Sequence, residues 1–187
     1  MSARLYTFLS IVWLLSELLL STKATKIPKP STSKPYLLNL LLSISIISSL
    51  ILGYIFINIP NSNFISNLLL LFSIFAVILG IVIRAQAIQQ LGENFTADIS
   101  EVEENRLVTS GLYDRVRHPS YTGSFVALFG LMLLSYSMIA VMYGSAAYIS
   151  TQYLRIQYEE KRLQEEFGSD YMSYKDEVPH ALIPHII

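Results

Sequence analysis

The sequence predicts an all-α, polytopic membrane protein with about five transmembrane segments, the last two paired as a C-terminal helical hairpin. Two observations carry this. The 187 residues are 52% hydrophobic and only 14% charged, an imbalance foreign to a soluble domain of this size. The charges are also segregated: no Asp, Glu, Lys or Arg lies between Lys34 and Arg84, or between Arg117 and Arg155. A charge at the bilayer centre costs about 2.5–3.5 kcal/mol even on the lenient insertion scale, so such gaps mark chain lying in hydrocarbon.

The N-terminal region, residues 1–83, carries three expected spans at about 5–20, 36–57 and 64–83. The first, LYTFLSIVWLLSELLL, is short and holds Glu17, which reads as a helix-packing or loop contact near one interface. A signal-peptide core fits less well, because no small-residue cleavage site follows. The linker STKATKIPKPSTSKP has three prolines that break any helix, and four lysines (Lys23, Lys26, Lys29 and Lys34) without an acid. The second and third spans are long enough for about 30 Å of hydrocarbon, and NIPNSN between them is an uncharged turn. The lysine asymmetry places the first linker in the cytoplasm. The segment from Arg84 to Arg117 is then cytoplasmic as well.

Residues 84–187 form the second region, with the hairpin expected over 119–154. GSFVALFGLMLL and IAVMYGSAAYISTQYL flank a polar SYSM break, and their lengths suit a hairpin that enters the bilayer and returns to its own side. The alternative is two tilted full spans. The tail helix continues out of the hairpin, Gly168 is its expected C-cap, and Lys161–Glu165 and Arg162–Glu166 are solvated i,i+4 pairs. Gly92 and Gly111 mark turns, and the run of Glu101, Glu103 and Glu104 reads as solvated.

Composition narrows the chemistry. There are no cysteines, which removes disulfides, thiolate metal ligands and a Cys nucleophile. Three histidines (His118, His180, His185) do not suggest a metal cage, and a net charge of −1 does not suggest nucleic-acid binding. No GxGxxG or P-loop is present, so any cofactor must be held by residues at the membrane edge.

Two groups at that edge stand out. In RVRHPSYTG, Pro119 is suited to the first position of a helix, with His118 as N-cap and Arg117 just outside. One reading is interface anchoring, with Arg117 on lipid phosphate and Tyr121 in the aromatic belt. The other is that helix N–H groups, Arg117 and His118 cradle an anionic part of a ligand. Arg155 and Glu159 form the second group, four apart on one helical face where the hairpin leaves the apolar zone. A surface ion pair is the simpler explanation. Against it, Arg precedes Glu, the weaker order for helix support, and a charge is costly there. A guanidinium that grips carboxylate or phosphate bidentately gives that charge a use. Glu160 faces a different way from Glu159.

RLVTSGLYDRVRHPSYTG, an apolar hairpin, and RIQYEEKRLQEEFGSDYMSYKDEVP together resemble the isoprenylcysteine carboxyl methyltransferase family of integral membrane methyltransferases. The resemblance covers roughly Gln89 to Pro184, with Leu112 departing from the Pro that many members have after the Gly. It implies S-adenosyl-L-methionine bound in a cytoplasm-facing pocket, with His118 and Tyr121 touching the cofactor. Tyr113, Arg117 and Pro119 would shape that pocket, together with Glu160. Arg155 and Glu159 fall where the family places the residues that engage the substrate carboxyl. The acceptor would be a lipophilic prenylcysteine-like or lipid molecule entering from the bilayer, and no metal is implied. Three rivals remain at this stage. A phospholipid N-methyltransferase would use Glu159 as base but has no use for Arg155. A sterol-type membrane reductase would bind NADPH. A non-enzymatic membrane protein would use the same charged face to dock a partner.

Overall fold

The computed structural model describes residues 3–21, 34–57, 64–92 and 107–183, and every described regular element is helical. The helices are α1 (Ala3–Ser21), α2 (Lys34–Ile55), α3 (Phe64–Leu91), α4 (Pro119–Leu134), α5 (Met138–Phe167) and α6 (Ser169–Glu177). A 3-10 turn, Gly111–Asp114, precedes α4. Lys23, Lys26 and Lys29, the NIPNSN turn, the Glu101–Glu104 acidic run and His185 lie outside the described residues.

α1, α2 and α3 are each long and apolar enough to cross a membrane, and α4 is a shorter apolar helix. Leu18, Leu19, Ile44, Ile55, Phe64, Ile65 and Leu71 are all exposed, as a lipid-facing surface requires. The chain is an integral membrane protein. α3 runs on past the apolar stretch, through Arg84 to Leu91, because RAQAIQQL is rich in good helix formers. The hydrocarbon boundary and the helix end are therefore different points in the sequence.

Packing between α3 and α4 is the closest in the molecule, and small residues make it so. A Cβ on Gly123 would stand 2.6 Å from the Arg84 backbone N and 2.7 Å from the Gly80 carbonyl oxygen. One on Gly130 would meet the Ser73 carbonyl at 2.8 Å. Gly80 faces Ala127 in the same way, so the two backbones touch along three turns. In lipid there is little hydrophobic drive between helices, and this close contact replaces it.

The hairpin turn is built from the SYSM break. Tyr136 has a positive φ of 54°, Ser135 Oγ donates to the Met132 carbonyl at 2.6 Å, and Ser137 Oγ caps α5 through Ala140 N at 3.3 Å. Tyr136 also donates its hydroxyl to the Ser66 carbonyl at 2.9 Å, in the first turn of α3. The other end of α4 lies beside Arg84. The hairpin thus runs the whole apolar length of α3, from Arg84 back to Ser66. α2 packs on the hairpin through α5, where Tyr143 donates to Ser48 Oγ at 3.0 Å. α5 leaves the apolar layer without a break and ends at Gly168, φ 53°, the expected C-cap.

A polar site at the mouth of the helical hairpin

His118 is the N-cap of α4 and Pro119 its first residue. The backbone around them is fixed by the C-terminal tail. Arg117 N donates to the His180 carbonyl and His118 N to the Ala181 carbonyl, both at 2.9 Å, and Thr122 Oγ1 donates to the Leu182 carbonyl at 2.5 Å. Residues 180–182 therefore stitch the tail to the start of the hairpin. Ile156, Ala181 and Leu182 form a small apolar cluster under this seam, with Tyr121 packed against it.

Glu160 is the centre of a buried charge cluster. Its Oε1 accepts from Arg117 Nε at 2.8 Å and lies 2.7 Å from Arg117 Nη2, while its Oε2 lies 2.7 Å from Lys175 Nζ on α6. Arg117 Nη1 donates to the Val178 carbonyl at 2.7 Å. Arg117 and Glu160 are 8% and 5% exposed. Burial alone would raise the Glu160 pKa, but contacts with His118, Lys175 and Arg117 outweigh it and hold the carboxyl well below its usual range. Arg117 is thus engaged with Glu160 and the tail, which makes it a builder of the pocket wall. Tyr113, buried beside Tyr174, donates to the Ala87 carbonyl at 3.4 Å, and Tyr174 donates to the Tyr113 carbonyl at 2.7 Å. Burial, reinforced by the charge of Glu159, pushes the Tyr113 hydroxyl pKa up, so it stays neutral.

A second network lies on the membrane side of the first. Tyr121 donates its hydroxyl to Glu159 Oε2 at 2.7 Å and accepts from Arg155 Nε at 2.8 Å. The Arg155 guanidinium also lies over the Tyr121 ring, 5.4 Å from its centroid. Its Nη1 donates to the side-chain oxygen of Asn39 on α2. His118 stacks parallel to Tyr121, with centroids 5.5 Å apart, and stands between the two carboxylates. Its Nδ1 is 3.6 Å from Glu159 and its Nε2 is 3.4 Å from Glu160. The Nε2 makes no full hydrogen bond among the described residues, although His118 is 7% exposed. Tyr148 supports the layer from below, donating to the Tyr121 carbonyl at 3.1 Å and accepting from Gln152 at 2.9 Å.

The eight candidate site residues therefore meet at one locus, though in two tiers. His118, Tyr121, Arg155 and Glu159 form the tier facing the apolar zone. Tyr113, Arg117, Pro119 and Glu160 form the tier that anchors it to the tail. Sequence reasoning missed Asn39, Lys175 and the polar layer beneath. In that layer Arg84 Nε pairs with Glu17 Oε2 at 2.7 Å, Ser124 donates to Glu17 at 2.9 Å, and Arg84 Nη1 donates to Ser120 Oγ at 2.9 Å. Glu17 was legible as a packing contact, but its partner stood at the end of a different span. An open hollow of about 640 Å³ lies between the end of α3 and the 3-10 turn, lined by Gln86, Gln89, Gln90, Gly111, Leu112 and Arg115, with none of the first-tier residues in its wall. Among the described residues no group of His, Asp or Glu is placed to hold a metal.

Fold and site together define a helical membrane protein with a polar cluster where an apolar helical hairpin meets a polar tail. Residues 69–165 match the model of the isoprenylcysteine carboxyl methyltransferase (ICMT) family, and the chain belongs to that family. It is similar to protein-S-isoprenylcysteine O-methyltransferase B of Arabidopsis thaliana, 33% identical over 113 residues, which are 59% of this chain and 57% of that protein. Similarity to the Schizosaccharomyces pombe protein-S-isoprenylcysteine O-methyltransferase is 32% over 106 residues, covering 56% of this chain and 45% of the relative. The chain spans about half the length of these curated relatives. A structure described as the eukaryotic intramembrane Ras methyltransferase ICMT shares the fold, with a TM-score of 0.61 and 24% identity, over 84% of this chain and 54% of that one.

Proposed function

We propose that this chain transfers a methyl group from S-adenosylmethionine to the carboxylate of a lipophilic acceptor, an isoprenylcysteine-like or lipid molecule, at the cytoplasmic membrane face. The observation that carries this reading is the placement of Arg155. A guanidinium held by Tyr121 at the edge of a charge-free hairpin is a receptor for an anion approaching from the bilayer. Family membership and the printed names of the relatives support the same reaction.

The residues present fit the cofactor. The stacked rings of His118 and Tyr121, with Glu159 beside them, offer aromatic faces and negative charge to a sulfonium cation. The buried Nε2 of His118, without a hydrogen-bond partner among the described residues, is a polar atom that a ligand could satisfy. S-adenosylmethionine supplies, when bound, a methyl group on a positively charged sulfur.

The chain's own task is positioning. A carboxylate is already a nucleophile, so an O–CH3 bond forms as an S–CH3 bond breaks and no proton moves. Arg155 grips the acceptor carboxylate, and Tyr121 fixes Arg155 through Nε. Glu159 fixes Tyr121 by accepting its hydroxyl proton in a hydrogen bond, so Glu159 orients the guanidinium through Tyr121 rather than acting as base. Without that tie, a bare carboxylate beside the acceptor would repel it. Holding reactants in line and free of water is worth about 7–11 kcal/mol of barrier, enough to make positioning the main contribution. An ammonium acceptor would be repelled by Arg155, which disfavours amine methylation at this site.

Calorimetry on the detergent-purified protein tests the reading. Micromolar binding of S-adenosylmethionine, lost in His118→Ala and Tyr121→Ala, is expected. Binding of NADPH in its place would move the protein to reductase chemistry.

A further inference from the structure

We propose that the hollow between the end of α3 and the 3-10 turn binds the phosphate headgroup of a membrane phospholipid, whose acyl chains lie along the exposed face of α3. The hollow is separate from the polar cluster at the hairpin mouth, so the proposal stands whichever reaction that cluster performs.

One face of α3 carries the argument. Leu68, Leu71, Phe75, Ile78 and Val82 recur at spacings of three and four and are all exposed, which makes them one lipid-facing stripe. The same spacing continued past Val82 reaches Gln86, Gln89 and Gln90, which are exposed as well. The stripe thus changes from hydrocarbon to carboxamide at Arg84, where the charge-free stretch ends. At 1.5 Å per residue, the three glutamines stand about 3–9 Å beyond Arg84 along the helix. The headgroup layer is about 5–8 Å deep on each side of the hydrocarbon core, so they lie at its level.

The 3-10 turn closes the hollow from the other side and gives it a charge. Gly111, φ 72°, lets the Gln90 carboxamide lie against the turn, because a Cβ there would stand 2.7 and 2.8 Å from its nitrogen and oxygen. Gln90 Oε1 accepts from Leu112 N at 2.9 Å, which fixes the amide and leaves its two N–H groups as donors. Arg115 completes the wall with a side chain that is 81% exposed. Asp114 is 3.9 Å from it, at the limit of an ion pair, and is not in the wall. Among the described residues the wall holds no acid. One cation with amide donors and no competing carboxylate is a receptor for a singly charged phosphodiester. Arg117, which the sequence offered to lipid phosphate, is buried against Glu160, so that task falls to Arg115 two residues earlier. The volume of about 640 Å³ suits a headgroup, and the apolar stripe that runs into the hollow selects a lipid over a free phosphate.

The test is native mass spectrometry of the purified full chain in neutral detergent, titrated in turn with dioleoylphosphatidylglycerol, dioleoylglycerol and inorganic phosphate. One phosphatidylglycerol should bind first, with the other two probes at least tenfold weaker. Arg115→Gln should weaken that site about fivefold, the effect of one basic side chain at a membrane surface. Gln86→Leu with Gln89→Leu extends the stripe into the hollow and should weaken it severalfold. Lys161→Gln, which removes an exposed cation elsewhere, should bind as the wild type does. Thermal midpoints without lipid should match the wild type throughout, since all these side chains are exposed. Equal affinity in wild type and Arg115→Gln overturns the proposal. So does an equal loss in Lys161→Gln, which reduces the effect to general surface charge. Inorganic phosphate or dioleoylglycerol bound as tightly as the phospholipid also overturns it, by making the occupant a soluble anion or the stripe the whole site.

Discussion

Tyr121 ties the first tier together: its hydroxyl links Arg155 to Glu159, and its ring meets both His118 and the guanidinium. Tyr121→Phe keeps the ring and removes the link. A hydrogen bond to a charged group is worth about 1.5–3 kcal/mol, so kcat should fall about 10- to 100-fold with cofactor affinity nearly intact. Stopped assays of methyl transfer beside calorimetry check this. The motif RHPSY and the pair Arg155 and Glu159 were readable because each has a local reason to be unusual, a Pro after a His or a charge at the mouth of a charge-free run. Asn39 had none. It meets Arg155 across 116 positions of chain, and a lone Asn in an apolar helix gives no sign of its partner. Lys175 was hidden for a related reason, since a Lys in a charged tail looks solvated until Glu160 is found beside it.

Between elements, two seams decide the architecture. At the α3–α4 seam, Gly123→Val would drive a side chain into backbone atoms 2.6 and 2.7 Å from its Cβ, and backbone cannot turn aside as a side chain can. The expected outcome is loss of the folded helix pair, read as a lower thermal midpoint in detergent, by about 1–3 kcal/mol or more of overpacking cost. At the tail seam, Glu160 supplies a pH dependence. Its folded pKa lies below the ordinary 4.5, so its ion pairs stabilise the protein fully above that value. Their contribution is lost as pH falls below 4.5 towards the folded value, and α6 with residues 178–183 should loosen there. Hydrogen exchange of that segment should rise in acid in the wild type. In Glu160→Gln it should already be raised at neutral pH, because removing one partner of a buried pair costs about 3–5 kcal/mol. The tail helix and its Gly168 cap followed from sequence. The docking of His180, Ala181 and Leu182 did not, because backbone hydrogen bonds to a loop leave no residue pattern.

Across the whole molecule, the buried Arg84–Glu17 pair ties α1 to α3, and its serine partners extend the tie to α4, directly beneath the polar site. The side chains are 12% and 19% exposed, so a single substitution strands a charge in an apolar layer. Arg84→Met and Glu17→Gln should each lower stability by about 3–5 kcal/mol, and the double variant by less than their sum. Membrane class and helix order were legible from charge gaps alone, since hydrocarbon tolerates so few structures. The depth of the hairpin was not, because it depends on Tyr136 reaching Ser66, a contact between two segments that sequence treats separately. Spanning helices, hairpin and tail all converge on one polar site.

The most direct measurement of that account follows labelled methyl from S-adenosylmethionine into an isoprenylated cysteine carrying a free carboxyl, using the purified chain in lipid nanodiscs. A carboxyl methyl ester releases methanol in mild alkali, whereas a methylated amine does not. Alkali-labile label that disappears in Arg155→Ala is the predicted result. Label that is stable to alkali, or no transfer at all from a chain that binds the cofactor, would contradict it.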